Sequence, residues 1–367
     1  MKAGFLDGKL SVKEVIINAE TIFHNIRWNN GIVYCPYCGE VHKIYQAKDG
    51  SYSYKCGNCN HKFTDRTKTL LHGSKLSTEI WMQAIYEVFT NNFISSIRLA
   101  IKLHINQKSA WLMLSKIRYG LSQNDYLLNG IIAQDEMYVG GCLSNYHYER
   151  KLRLLRENNY ILPDERKYSK SAIYALNSTL KQPVFGLNDG KQIVLYNTPN
   201  PIKKEYLYKI VNKHIIEGIT VSDESCLYNN WKEETGLDLF TNNHHNNQYI
   251  TKEGFTSNRI ENTFSWFKRG FGGNLTHCKY IQLYLNEFVF RYNTKDLSHT
   301  DRFYNAVKHT IGNTITYKEI KRYNYQGMFK KVKKNELTLE EIKSILEEGV
   351  VREIEQNHKV YTLDSFK

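Results

Sequence analysis

Three things are scarce in this 367-residue sequence: long apolar runs, cysteine and acidic charge. No uninterrupted apolar run is long enough to span a bilayer, and the first residues have no signal-peptide core. The seven cysteines are an odd number, which does not suit a framework of disulfides. These absences argue against a membrane protein and a secreted disulfide-rich domain. We therefore expect a cytoplasmic protein.

The deficit of acidic charge points to a polyanionic partner. Basic residues outnumber acidic ones by 50 to 37, for a net charge of +13. Nucleic acid is the first candidate for a partner of such a chain. Apolar residues make up 41% of the sequence, so the chain is globular, and its length allows two or three domains.

Four of the cysteines form two C-x-x-C pairs, in the segments CPYCG and YKCGNC. They are Cys35, Cys38, Cys56 and Cys59. The spacing is typical of a four-thiolate zinc ribbon, in which one structural Zn²⁺ closes a fold with little core. Aromatic residues between and after the pairs predict short strands. His42 and His61 are alternative ligands, although two cysteine pairs do not need them. We predict a domain over residues 1–72 that joins an N-terminal helix to this ribbon.

The next segment, residues 73–122, resembles a helix-turn-helix. A first helix is predicted to end near Ile101, the turn includes His104, and Asn106 caps a second helix. That second helix would enter a major groove of DNA. An ordinary helical hairpin is the alternative, because glycine rather than histidine commonly occupies such a turn.

Beyond residue 122 short strands alternate with helices. The run IIAQDEMYV carries Asp135, an acid that is costly inside a buried strand. Residues 144–170 are polar and basic and predict an insertion or a DNA-facing loop. A β-hairpin follows, with strands over residues 184–188 and 192–196.

A second acid and a third follow the hairpin. A helix is predicted from Pro201 to about Ile216, with Gly218 as its stop, and a short strand over residues 219–222 then leads into Asp223. In the segment SNRIENTFSWFKRG, apolar residues recur at helical spacing, with Glu261 beside them near the helix start. This order predicts an α/β (α+β) fold with an RNase H-like mixed sheet flanked by helices, preceded by the zinc ribbon and the helix-turn-helix.

Three converging carboxylates would repel one another unless cations lie between them. Their oxygen atoms suit Mg²⁺ or Mn²⁺. A pair of such ions would serve in-line displacement at phosphorus. Asp135, Asp223 and Glu261 are therefore predicted to be both metal ligands and catalytic residues.

Each acid also has a simpler interpretation. Asp223 suits a strand-ending turn, and Glu261 suits a capping box with Asn258. Glu136 and Glu224 neighbour the two aspartates and should face the opposite side of their strands.

Further predictions concern a competing acid and the DNA contacts. Glu287, on the following helix, remains a competing acid. The residues predicted to contact DNA are Lys108, Trp111, Lys268, Arg269 and Arg291, with a solvated basic face as the alternative for the last three.

The chain resembles the bacterial insertion-sequence transposases that join a zinc ribbon to a DDE-type RNase H-like core, which are relatives of the eukaryotic Merlin transposons. The resemblance covers about residues 15–295. It rests on CPYCG, YKCGNC, QDEMYVGG, VSDES, SNRIENTFSWFKRG and LYLNEFVFRYN in this order. It implies that Asp135, Asp223 and Glu261 carry the three catalytic positions, in a catalytic domain over residues 123–311.

The resemblance also implies an activity and partners. The protein would nick transposon ends in a metal-dependent reaction, and the freed 3′-hydroxyl would attack target DNA. Its partners would be terminal inverted repeats, target DNA and further copies of itself, in a homodimer or higher oligomer on the bacterial nucleoid.

The sequence departs from the family before the third acid. Thr256-Ser257-Asn258 stands where the family usually has His-Thr-Asn, so a His-assisted step would lack its side chain. Residues 312–367 lie outside the resemblance and show one amphipathic helix, a hairpin pattern and no catalytic signal.

Two other functions remain open. One is a non-catalytic zinc-ribbon/helix-turn-helix DNA-binding protein, either a degraded transposase or a regulator. The other is an RNase H-like nuclease that cleaves without strand transfer.

Overall fold

The structure is a computed structural model that describes residues 12–28, 31–91, 93–140, 143, 146–223, 225–242, 250–251, 254–271 and 280–323. Glu224 and the predicted tail helix and hairpin after residue 323 lie outside the described residues. Within these ranges, no helix has the length and apolar content needed to cross a membrane.

The N-terminal part begins with helices and a small sheet and continues with three longer helices. Its elements are α1 (Val12–Ile17), α2 (Ala19–Arg27), β1 (Ile44–Gln46), β2 (Ser53–Cys56), β3 (Lys62–Thr64), α3 (Thr78–Thr90), α4 (Ser96–Leu103) and α5 (Gln107–Gly120).

The remainder contains the larger sheet and the helices around it. Its elements are β4 (Leu128–Val139), α6 (Tyr148–Glu157), α7 (Lys170–Leu180), β5 (Gln182–Asn188), β6 (Ile193–Asn197), α8 (Lys204–His214), β7 (Ile215–Asp223), α9 (Trp231–Thr235), β8 (Asp238–Asn242), α10 (Asn258–Phe271), α11 (Ile281–Asn293), α12 (His299–Lys308) and α13 (Tyr317–Arg322).

The small sheet has the antiparallel order β1-β2-β3. Its strands coincide with the aromatic positions that predicted them, and Tyr54 and Phe63 are buried in a core of their own. Asp65 fixes this unit to α2: one carboxylate oxygen accepts from Trp28 Nε1 at 2.7 Å, and the other lies 2.9 Å from His24 Nδ1.

The turn between α4 and α5 differs in detail from the predicted helix-turn-helix. The helix α4 extends to Leu103, two residues past the predicted end, because His104 adopts the left-handed conformation (φ 51°) that glycine usually supplies. Asn106 caps α5 as predicted: its Oδ1 accepts from the backbone N–H of Lys108 at 2.7 Å and of Ser109 at 3.1 Å.

The helix α5 is the centre of a bundle and not a free recognition helix. One large core joins α1–α5 to residues of α11, α12 and α13. Most of α5 is buried or half-buried, and its exposed residues are Gln107 and Lys108 in the first turn. The packing of α5 fits the alternative of a helical hairpin, and entry of its first turn into a major groove stays a prediction. The bundle core also crosses the domain boundaries predicted at residues 122 and 311.

The larger sheet has the order β6-β5-β4-β7-β8. The strands β4, β5 and β6 are antiparallel neighbours, whereas β7 and β8 run parallel to β4. One face packs against α8 and α9, and the other packs against α10 and α11. The predicted RNase H-like mixed sheet and its hairpin are confirmed; β8 was not predicted.

Two predicted boundaries in this part are wrong. The helix α8 ends at His214, before Gly218, and β7 starts at once. Gly218 lies inside β7 with φ 142°, and a Cβ there would stand 2.1 Å from the carbonyl oxygen of Gly130 on β4. The glycine therefore permits close strand contact and does not end a helix. The predicted insertion over residues 144–170 contains α6 and leads into α7, and the two helices share a small core of Leu143, Leu155 and Leu176.

Candidate active site and metal centre

The first acid, Asp135, lies in the middle of the central strand. Side chains alternate along β4, and Ala133 and Met137 face the core under α10, so Asp135 between them faces that helix too. Its Oδ1 accepts from the backbone N–H of Glu136 at 2.7 Å. The strand thus delivers a carboxylate to the face of the sheet that α10 covers.

A glycine opposite Asp135 allows α10 to come close. Gly186 on β5 pairs with Asp135. A Cβ at this glycine would stand 2.7 Å from Ile260 and 2.8 Å from Phe264, both on α10. Any larger residue would push the helix away from the sheet, and Glu261 with it.

The second acid, Asp223, ends the neighbouring strand. Parallel strands β4 and β7 pair up to Ala133 and Val221. Asp135 and Asp223 each stand two residues further along, so the two aspartates lie side by side where the paired region ends.

The third acid, Glu261, is in the first turn of α10, and a serine links it to Asp223. The hydroxyl of Ser257 lies 3.2 Å from Asp223 Oδ1 and 3.4 Å from Glu261 Oε1, and this serine is fully buried. The helix begins at Asn258 itself. In the part of the chain described, no hydrogen bond joins the Glu261 carboxylate to the backbone of Asn258, so the alternative of a capping box is not formed.

Negative charge accumulates at this site. Burial, followed by the nearby charges of Glu136, Asp223 and Glu261, raises the pKa of Asp135 to about 7. Burial also raises the pKa of Glu136, with Asp223 contributing, while a hydrogen bond from the Tyr228 hydroxyl works in the opposite direction. A cation placed among these groups would relieve the repulsion.

The competing acids do not join the three. Glu136 faces the other side of β4 and accepts from Tyr228, a member of the core under α8 and α9. Glu287 is fully buried, where it accepts from Arg118 Nε at 2.7 Å and from the backbone N–H of Phe93 at 3.1 Å. It fastens α11 to the helical bundle, so its candidacy as a site acid is wrong.

Two of the residues predicted to contact DNA also have contacts within the protein. The Arg291 guanidinium donates to the carbonyl groups of Val88 and Phe89 at the end of α3, at 3.0 and 2.8 Å. Trp111 packs edge-on against Tyr280 and Tyr317 inside the bundle. Both side chains are half-buried and have these contacts within the protein, and their contacts with DNA stay predictions.

The other predicted DNA contacts remain available. Lys108, Lys268 and Arg269 are exposed. Lys268 and Arg269 lie on α10, beyond Glu261, and Lys108 lies at the start of α5.

The four thiols form a compact group. Cys35 Sγ lies 3.5 Å from Cys59 Sγ, Cys38 Sγ lies 3.6 Å from Cys56 Sγ, and all four lie within 4.8 Å of one another. A zinc ion with bonds of about 2.3 Å to four sulfurs would place them about 3.8 Å apart. The group could therefore bind zinc with little movement, without His42 or His61.

Zinc would also stabilise the thiolate form. Burial raises the pKa of the Cys35 thiol to about 12, so a thiolate at this position needs a cation beside it. Among the described residues, this is the one set of three or more His, Cys, Asp or Glu side chains gathered tightly enough to hold an ion without movement. The three acids are neighbours but are not gathered so closely.

Some residues of the site were missed by the sequence predictions. Ser257 carried a usable signal, because a serine directly before a helix is a common cap. Gly186 and Tyr228 had none, since their roles follow from the pairing of distant segments.

Comparison with known proteins agrees with these two sites. Residues 127–293, which include the three acids, match the ISXO2-like transposase domain. Residues 18–62, which include the four cysteines, match the transposase zinc-ribbon domain. Both domains suggest binding to DNA. No solved structure gives a significant match.

A protein from Halobacterium salinarum, described as an uncharacterized protein in transposable element ISH50, is 31% identical over 126 residues. The alignment covers 33% of this chain and 41% of that relative, so the chain spans less than half of the relative's length. Over its two matched segments, the chain is similar to insertion-sequence transposases that carry a zinc ribbon and an ISXO2-like transposase domain, which is consistent with an insertion-sequence transposase.

Proposed function

We propose that the protein is a DNA transposase that nicks transposon ends and joins the freed 3′-hydroxyl to target DNA through Asp135, Asp223 and Glu261. One observation carries the proposal. Two aspartates stand side by side on adjacent parallel strands, and Ser257 links the second to a glutamate on the helix that covers them.

The donor set fits a hard divalent cation. All three side chains offer carboxylate oxygens, which suit Mg²⁺ or Mn²⁺, and the pKa of Asp135 is raised by burial first and by the neighbouring acids after it, both of which a bound cation would offset. Asp135, Asp223 and Glu261 would hold one ion or a pair. Bound there, such ions supply activation of the attacking oxygen and stabilisation of the leaving oxygen at phosphorus.

The residues of this chain would position the DNA. Ser257 holds two of the carboxylates in place, and Gly186 lets α10 seat Glu261 against the sheet. The exposed Lys268 and Arg269 follow Glu261 along the same helix and would contact backbone phosphates. The zinc ribbon and Lys108 would contribute to binding of the terminal repeats.

The test is strand joining by the purified full-length protein with Mg²⁺, an oligonucleotide of the element end and a plasmid. We expect joined product from the wild type. Asp135→Asn should lower the rate about 1,000-fold or more, because it removes a metal ligand from the reaction centre, while binding of the end is kept. Asp238→Asn is the matched control, because Asp238 is an exposed aspartate on β8, at the sheet edge beyond β7.

Other outcomes identify other functions. Robust joining by Asp135→Asn would contradict the assignment of the acids. Binding without any metal-dependent chemistry would identify a non-catalytic DNA-binding protein, and cleavage without joining would identify a nuclease.

A further inference from the structure

A cleft of about 430 Å³ lies beside α10, and none of the three acids lines it. The turn between β5 and β6 forms one wall, and α10 and the end of α11 form the others. Its lining includes Asn188, Lys191, Arg259, Asn262, Trp266 and Tyr292. None of these residues has a role in the proposed chemistry.

Two aromatic rings form the apolar part of the cleft. Trp266 is 49% exposed, whereas Trp28, Trp81 and Trp231 are at most 3% exposed. Its ring centroid lies 6.0 Å from that of Tyr292, at an interplanar angle of 36°. An indole left open to water in this way is an available stacking surface.

Cations surround these rings. Lys191 and Arg259 line the cleft and are exposed, and Lys295 Nζ lies 4.2 Å from the Tyr292 ring centroid. Within the described ranges, no carboxylate lies within salt-bridge distance of Lys191 or Arg259. Asp189 is the acid of the cleft, and its Oδ1 accepts from the backbone N–H of Lys191 and Gln192 at 2.8 and 2.7 Å.

The wall between sheet and helix is held by a buried amide. Asn188 Nδ2 donates to the Arg259 carbonyl at 3.2 Å and to Thr263 Oγ1 at 2.9 Å, and its Oδ1 accepts from the backbone N–H of Gly190 at 2.6 Å. The cleft is therefore set by fixed contacts and does not depend on the positions of surface side chains alone.

We propose that this cleft binds an unpaired nucleotide of the DNA substrate, with its base stacked on Trp266 and its phosphate on Arg259 and Lys191. The inference rests on the proposed function. The faces of bases are hidden inside a duplex, so an open indole in a cleft of this size selects single-stranded DNA, and the cations select its backbone.

The position of the cleft fits a strand that has been cut or opened at the acids. Trp266 follows Glu261 by five residues on the same helix, which corresponds to about 7.5 Å along the axis and about 140° around it. A strand leaving the three acids reaches the cleft within a few nucleotides. Binding there would hold the DNA next to the cut and separate it from its complement.

The test compares two labelled DNA probes with the full-length protein in Mg²⁺-free buffer: a duplex with a short single-stranded tail and the same duplex with blunt ends. Trp266→Ala should weaken binding of the tailed probe about 5- to 100-fold, the range expected for one lost base-stacking contact, and change blunt-duplex binding less than about twofold. Trp266→Phe keeps a stacking ring and should retain most of the tailed-probe affinity. Tyr174→Ala, at an aromatic that is 79% exposed on α7, is the matched control.

A second measurement does not depend on the alanine variant folding. Arg259→Gln should reduce the salt dependence of tailed-probe binding by about one phosphate contact. Tailed-probe affinity that is unchanged in Trp266→Ala, or equal weakening of both probes, would overturn the proposal. Since these measurements use no Mg²⁺, they are independent of strand joining. If the wild type joins DNA but Trp266→Ala binds the tailed probe as tightly as the wild type, only this inference is overturned. If the tailed probe is bound selectively but no joining occurs, only the proposed function is overturned.

Discussion

The thiol site and the carboxylate site bring metal-binding side chains together in opposite ways. The four thiols lie within 4.8 Å of one another, on two short turns in one small sheet. The three acids come from β4, β7 and α10, and burial, together with the charges of the neighbouring acids, raises the pKa of Asp135 to about 7. The first site is built by local chain geometry, whereas the second is built by the packing of distant segments.

This difference indicates how the loss of one ligand should affect the stability of each part of the protein. The ribbon has a core of few residues, so we expect its stability to depend on a bound metal. The carboxylate site lies between a five-stranded sheet and α10, which have a core of their own, so the fold should persist when an acid or its ion is removed. The predictions below test that contrast, starting from the largest expected effect.

Removing one thiol should unfold the ribbon. We expect Cys56→Ala to lose bound zinc and the protease resistance of residues 31–67, because structural zinc in small domains contributes on the order of 10 kcal/mol to folding. Zinc content and limited proteolysis of the purified variant measure this. Cys226→Ala, which changes a thiol outside the two C-x-x-C pairs, should behave as the wild type. An intact ribbon in Cys56→Ala would contradict the expectation that the thiol site, unlike the carboxylate site, is needed for folding.

Removing one carboxylate charge should leave the fold intact. Glu261→Gln keeps the size of the side chain, so we expect its stability to stay within about 1 kcal/mol of the wild type while joining falls about 1,000-fold or more. Urea unfolding and the joining assay give the two values. A variant that unfolds but remains active per folded molecule would show that Glu261 has only a structural role.

The repulsion among the acids should appear as a pH dependence of stability. The folded protein keeps a proton on Asp135 up to a pKa of about 7, whereas the unfolded chain releases it near pH 4. The folded state therefore binds more protons in this window, and Asp135 makes the wild type less stable as pH rises from about 4 to 7. Relative to Asp135→Asn, the loss should reach up to about 4 kcal/mol.

Urea unfolding in Mg²⁺-free buffer across this pH range measures the effect. Added Mg²⁺ should restore stability above pH 7 in the wild type and do less for Asp135→Asn. Asp238→Asn should follow the wild-type profile. Parallel profiles for the wild type and Asp135→Asn would show that Asp135 is an ordinary exposed acid.

The features that the sequence predicted correctly are those that depend on short segments of the chain. The C-x-x-C spacing located the thiol site, and the period of the apolar residues located α10 and the hairpin of β5 and β6. Asn106 was predicted as a helix cap and is one, because a cap is a contact between residues two or three positions apart.

The contacts that the sequence did not reveal are long-range. Glu287 and Arg291 are polar residues on an amphipathic helix, and nothing local shows that both of their partners belong to the segment 88–118. Trp111 likewise packs against Tyr280 and against Tyr317 of α13, which no short segment indicates. Gly218 was predicted to stop a helix, but glycine is needed at this position because the backbone of Gly130 on β4 comes close to it.

The smallest expected effect concerns Ser257, which links two of the acids and has no counterpart in the thiol site. Its single hydroxyl proton is shared between Asp223 and Glu261, so Ser257→Ala removes about one charge-assisted hydrogen bond. We expect the Mg²⁺ concentration needed for half-maximal joining to rise about tenfold, which corresponds to about 1.4 kcal/mol, with little change in the rate at saturating Mg²⁺. Ser95→Ala is the control, because Ser95 also directly precedes a helix but lies in the bundle, away from the acids. An equal loss of rate at all Mg²⁺ concentrations would mean that Ser257 acts in the chemical step, whereas no change would mean that the sheet and α10 position the carboxylates without it.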